Sequence, residues 1–170
     1  MAEETRAKAD GRPRGKTRVL LCVVDETEEV SVALEFAALR ARRQNGRVAL
    51  LYVLEEQPGG FQHWSTVADL MREEARDDAE QKLQRAGARV QRWSGTLPIF
   101  YIREGSTTEE VIGLIQEEPD ISILILGAAT GSQGPGPLVT SLAGKMVGRL
   151  RVPVVIVPGN LSDEDLDALA

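Results

Sequence analysis

The chain has 170 residues, enough for one domain with a substantial core. Its composition, 42% hydrophobic and 27% charged, is that of an ordinary globular protein, and a net charge of -6 argues against nucleic acid or an anionic membrane as partner. The single cysteine, Cys22, excludes an intramolecular disulfide; no apolar run reaches membrane-spanning length and residues 1–16 are too polar for a signal peptide, so the cytoplasm is the expected location.

Basic residues crowd the start of the chain (Arg6, Lys8, Arg12, Arg14, Lys16, Arg18) and acidic ones its end (Asp163, Glu164, Asp165, Asp167). Residues 1–16 are expected to form a flexible arm, 17–159 the domain, and 160–170 an acidic tail, with both ends solvated and poorly ordered.

The first element in chain order is the apolar run Arg18 to Val24, which predicts a strand buried on both faces. Apolar residues then recur at helical spacing from Val30 to Ala41, with Thr27 as the expected N-cap, acids in the first turn and Asn45-Gly46 as the stop. Val48 to Val53 is a second buried strand. Residues 55–66, with Pro58-Gly59-Gly60, read as a loop. A longer amphipathic helix follows from Val67 through Leu70, Met71, Ala75, Ala79 and Leu83, and is expected to end near Gly87.

Leu97 to Ile102 is the third strand, and Pro98 near its start argues for an edge position. Ser106-Thr-Thr-Glu109 has the capping-box pattern and opens a helix carrying Val111, Leu114 and Ile115. Ile121 to Leu126 is the fourth strand. A glycine-rich loop, a helix over about residues 138–150 and the strand Pro153 to Val157 complete the chain. Strands alternating with helices imply right-handed crossovers and a parallel sheet covered on both faces.

Ligands of such sheets bind beyond the carboxyl ends of the strands, where the winding reverses. That points to Asp25, to Val53 and to Gly127 onward. Asp25 either accepts hydrogen bonds from a ribose or base, or caps the following helix. The stretch Gly127-Ala-Ala-Thr-Gly131-Ser-Gln-Gly134-Pro-Gly136-Pro either lets a ligand approach the backbone or is a turn-rich connection. Thr140 and Ser141 either donate hydroxyls to a phosphate at a helix N-terminus or only cap the helix.

In their order, these segments resemble the universal stress protein family from about Arg18 to Pro158. The matching pieces are Val23-Val-Asp25, Leu50-Leu-Tyr-Val53, Glu104-Gly-Ser-Thr-Thr-Glu-Glu-Val-Ile112, Leu124-Ile-Leu-Gly127, Ser141-Leu-Ala and Val152-Pro-Val-Val-Ile-Val157. The resemblance implies an α/β fold like that of the adenine nucleotide alpha hydrolases: a doubly wound, five-stranded parallel sheet of order 3-2-1-4-5. It also implies a stress-linked role without enzymology, and frequent dimerisation.

Some members bind ATP through a loop of form Gly-x2-Gly-x9-Gly-Ser/Thr. Carried over by position, the resemblance makes Asp25 and Val53 the adenine-nucleoside contacts, and Gly127, Thr130, Gly131, Thr140, Ser141 and Leu142 the phosphate-side segment. The ligand would be ATP, ADP or AMP; no magnesium ligand is identified. This chain departs from the motif, with Thr130 and Thr140 where its second and third glycines belong. Pro135 and Pro137 offer no N–H, Ala128-Ala129 replaces the usual Ser-His pair, and no Lys or Arg occurs before Lys145.

Rival chemistries find no residues. The turn after the first strand, Asp25-Glu-Thr27, lacks the glycines of a dinucleotide fingerprint. Gly144-Lys145 is followed by Met146 rather than the Ser or Thr of a P-loop. A phosphoacceptor receiver would need an Asp after the third strand and a Lys after the fifth, where Arg103-Glu104 and Gly159-Asn160 stand. The lone His63 lies in the variable loop, Cys22 reads as a buried inert thiol, and Trp64 and Trp93 as packing or interface residues, so no enzyme is expected. Two functions stay open: a nucleotide-responsive stress protein, and a dimeric interaction module without nucleotide. In both, residues 153–157 form an uncovered apolar edge that a second copy would pair, making a homodimer.

Overall fold

The computed structural model describes residues 17–55 and 65–170. The unbroken apolar runs become the inner strands. β1 (Val19–Val23) is buried at every position and lies between β2 (Arg47–Leu54) and β4 (Ile121–Ala128), parallel to both. β3 (Ile99–Glu104) and β5 (Val154–Pro158) close the two edges, giving one parallel sheet of order β3-β2-β1-β4-β5. The sequence expectation for sheet and order holds, including the edge position of the strand behind Pro98.

Alternation along β1 and β2 splits the core into two layers. Leu20, Cys22, Val48 and Leu50 face α1 (Val30–Arg43) and α2 (Ser65–Ser94). Leu21, Ala49 and Leu51 face α3 (Thr107–Glu117) and the segment after β4. Burial pushes the Cys22 thiol up to about 12, so it stays protonated and inert, as a mid-strand cysteine should.

Several helix limits differ from expectation for identifiable reasons. α1 begins at Val30 with no acid in its first turn, because Thr27 turns back onto Asp25 instead of capping. Its end is as read, with Asn45 in the left-handed region at φ 52°. α2 runs through Gly87 to Ser94: Gly87 is a packing glycine, since a Cβ there would lie 2.5 Å from Cζ of Phe100. Ser106 precedes α3 without a side-chain cap, because Glu109 is held instead by Arg149 in two hydrogen bonds of 2.6 and 2.8 Å. The same pairing pulls the Glu109 carboxyl below its usual range.

The helix expected over 138–150 is broken. It starts as the single turn α4 (Pro137–Thr140), widens into a π-helical turn at Ser141–Lys145, kinks at Gly144, and ends in a 3-10 turn at Val147–Arg149. At the C-terminus, part of the expected disordered acidic tail is helix α5 (Asp163–Leu169). Ser162 and Asp165 cap it reciprocally, Leu166 is buried against α1, and Arg43 reaches Asp167 at 2.8 Å. His63, Trp64 and the arm 1–16 lie outside the described residues.

The Ser162 cap lowers the Asp165 carboxyl below its ordinary value, by side-chain and backbone hydrogen bonds. A depressed folded value means that its contribution is complete above the usual aspartate range and is lost as pH falls through the depressed one. We expect Ser162→Ala to weaken α5 locally by about 1 kcal/mol, read as reduced hydrogen-exchange protection at Leu166 and Ala170. Unchanged protection would show that packing of Leu166 alone fixes α5.

Candidate nucleotide site

The strand ends place three expected residues at one rim of the sheet. Asp25 follows β1, Val53 lies near the end of β2, and Gly127 lies near the end of β4, paired with Val157. Asp25 is exposed. Its Oδ1 accepts from the Thr27 N–H at 2.9 Å and the Thr27 hydroxyl at 2.6 Å, while Oδ2 has no partner among the described residues. The turn thus orients the carboxylate and leaves one oxygen able to accept. Val53 is half-buried on the α3 side, an apolar surface beside that oxygen's strand.

The turn after β1 is braced from α2. Lys82 pairs with Asp78 at 2.6 Å and with Glu26, sits 5.5 Å over the Tyr52 ring, and is 27% exposed. Asp78 first, then Glu26, hold its ammonium well above the usual lysine range. The neighbours of Asp25 and Val53, Glu26 and Tyr52, are therefore tied to one cation.

Gly127 has a packing role. A Cβ there would lie 2.7 Å from the carbonyl oxygen of Glu29, so its bareness lets the start of α1 pack on β4. Thr130 and Gly131 are exposed, and a Cβ on Gly131 would meet open space. The loop also ties itself up. The Ala129 N–H goes to the Pro135 carbonyl at 3.3 Å and the Gly134 N–H to the Gly131 carbonyl at 3.4 Å.

Beyond the loop lies an open depression of about 540 Å³, lined by Gln133, Gly136, Pro137, Thr140, Ser141 and Lys145. Thr140 and Ser141 are brought together there as expected, but their hydroxyls are not equivalent. Thr140 donates its proton to the Gly136 carbonyl at 2.9 Å, which leaves it only lone pairs. Ser141 Oγ instead accepts from Thr108 at 3.4 Å, so its own proton is free. Leu142 is fully buried in the core, and its side chain takes no part.

Residues not assigned to the site from the sequence also lie at it. Lys145 lines the depression and has no hydrogen bond or ion pair among the described residues. Thr107, at the start of α3, donates to Glu55 at 2.5 Å, while its neighbour Thr108 reaches Ser141. The start of α3 therefore bridges the end of β2 and the depression. Among the described residues, no group of His, Cys, Asp or Glu could hold a metal ion, and no helix is long and apolar enough to cross a membrane.

Comparisons agree with this architecture. The universal stress protein family model matches residues 16–158. No curated protein sequence matches significantly. Among solved structures, universal stress protein UspA from Lactobacillus plantarum is 18% identical, with a TM-score of 0.69 over 84% of this chain and 98% of that one. A universal stress protein in complex with cAMP is 15% identical, with a TM-score of 0.58 over 84% and 98%. One from Archaeoglobus fulgidus in complex with dAMP is 16% identical, with a TM-score of 0.52 over 82% and 96%. At these identities the structures speak for the fold, and the family match covers most of the chain. The chain belongs to the universal stress protein family.

Proposed function

We propose that this protein is a stress-response regulator that binds an adenine nucleotide carrying one phosphate, acting in the cytoplasm without catalysing a reaction. The observation that carries the reading is the pairing of two unlike surfaces at one rim. Asp25 and Val53 offer an acceptor and an apolar wall for a nucleoside, and the depression beside Ser141 offers a place for an anion. Two structural relatives were solved with cAMP and with dAMP, each with a single phosphate, which supports the same ligand class here. A triphosphate fits less well. Pro135 and Pro137 have no N–H, and two of the loop's own N–H groups are engaged within it.

Calorimetric titration tests this directly. AMP is expected to bind at least as tightly as ADP and ATP, without magnesium. Tighter binding of ATP would overturn the one-phosphate preference, and no heat from any of the three at millimolar concentration would overturn nucleotide binding.

A second reading is favoured by β5. Its outer edge is uncovered by any strand among the described residues, and Ile156 on it is 43% exposed. We take this edge as the site where two copies pair about a two-fold axis, with or without nucleotide.

A further inference from the structure

The geometry points to Lys145 and Ser141, four residues apart on one face and lining one depression, as the pair that selects a phosphate monoester there. This inference rests on the nucleotide reading and assigns the side chains that read the ligand's charge.

The chemistry begins with what an anion needs, which is donors. Of the two hydroxyls facing the depression, Thr140's proton is committed to Gly136, so its free lone pairs would repel a phosphate oxygen. Ser141 already receives the Thr108 proton and has its own to give. Within the loop the prolines lack N–H groups and two other N–H groups are engaged internally, so its remaining donors are neutral. Among the six lining residues, Lys145 alone carries a positive charge, and no described acid neutralises it.

The backbone around Lys145 departs from a regular helix. The Met146 N–H bonds to the Ser141 carbonyl at 3.0 Å, five residues back, so the turn is wider than an α-helical one. Gly144 then leaves helical geometry at φ -102°, ψ -105°, and the chain departs from the helix axis right beside Lys145. Ser141 and Lys145, four residues apart and so on one face of the turn, line the same depression. A Cβ on Gly144 would meet no atom within 4 Å.

Such a pair suits one compact, doubly charged group. One ammonium and one hydroxyl can serve a terminal phosphate, whereas a triphosphate would leave most of its charge unmatched.

The test compares AMP with adenosine on the wild type, Lys145→Met and Lys145→Arg, each checked for folding by circular dichroism. In the wild type AMP should bind more tightly than adenosine, and the difference should shrink as salt rises. Lys145→Met should weaken AMP about tenfold and leave adenosine unchanged; Lys145→Arg should restore most of the AMP affinity. If Lys145→Met binds AMP as the wild type does, the assignment of Lys145 is wrong while the nucleotide reading stands. If the wild type binds neither compound, both fall together.

Discussion

Replacing Gly127 by alanine should lower the stability of the protein by about 1–3 kcal/mol, whereas Gly131→Ala should be close to neutral. The contrast comes from what each new methyl group meets. At Gly127 a Cβ would sit 2.7 Å from the Glu29 carbonyl oxygen and 2.9 Å from its carbonyl carbon, both backbone atoms that cannot swing aside. At Gly131 it would meet nothing within 4 Å. Gly159 makes a similar approach, 2.7 Å from Cβ of Glu29, so β4 and the chain after β5 both press on the start of α1. Urea unfolding of the two variants checks the claim. Equal stabilities would mean that the start of α1 moves away at little cost, and that Gly127 is not a packing glycine.

Lys substitution at Ile156 should convert the proposed dimer to a monomer, raising its dissociation constant about a hundredfold or more. Edge strands are commonly protected from pairing by lysine, and β5 has none. Its sequence, Val-Val-Ile-Val-Pro, presents an apolar edge with Ile156 exposed. Light scattering at micromolar concentration is the measurement: the wild type should have twice the monomer mass and Ile156→Lys the monomer mass. A monomeric wild type would remove the dimer, and a dimeric variant would place the interface elsewhere. The other edge is less suited. β3 carries Arg103 and Glu104 at its end, with Arg103 held by Glu117 at 2.5 Å and Glu110 at 3.7 Å.

Most of the fold was legible because inner parallel strands must be apolar on both faces, and runs such as Val19 to Val23 and Ile121 to Leu126 have few other uses. The helix limits were less legible. Gly87 looks like a stop signal, yet its hydrogen atom faces the ring of Phe100, a contact made across thirteen residues of chain that no local rule detects. α5 was hidden by its acidity. Its signal was nevertheless present: Ser162 stands three residues before Asp165, and the apolar Leu166 comes next.

The site was half legible. Strand-end positions follow from topology, so Asp25 and Val53 are readable from the order of strands and helices in the sequence. Which hydroxyl donates could not be named, because that depends on the Gly136 carbonyl lying within reach of Thr140 and on Thr108 arriving from α3. Lys145 was weighed only as part of the P-loop pair Gly144-Lys145, which Met146 rules out. It stands four residues after Ser141, the spacing of neighbours on one helical face, and both line the depression.

The central claim is that a one-phosphate adenine nucleotide sits between the ends of β1 and β2 and the depression beyond β4. Backbone amide NMR of the uniformly labelled protein titrated with AMP locates the ligand residue by residue. The account predicts saturable shifts at Asp25, Val53, Ser141 and Lys145, with Asp163 to Leu169 unmoved. Shifts confined to other surfaces, or none at millimolar AMP, would contradict it.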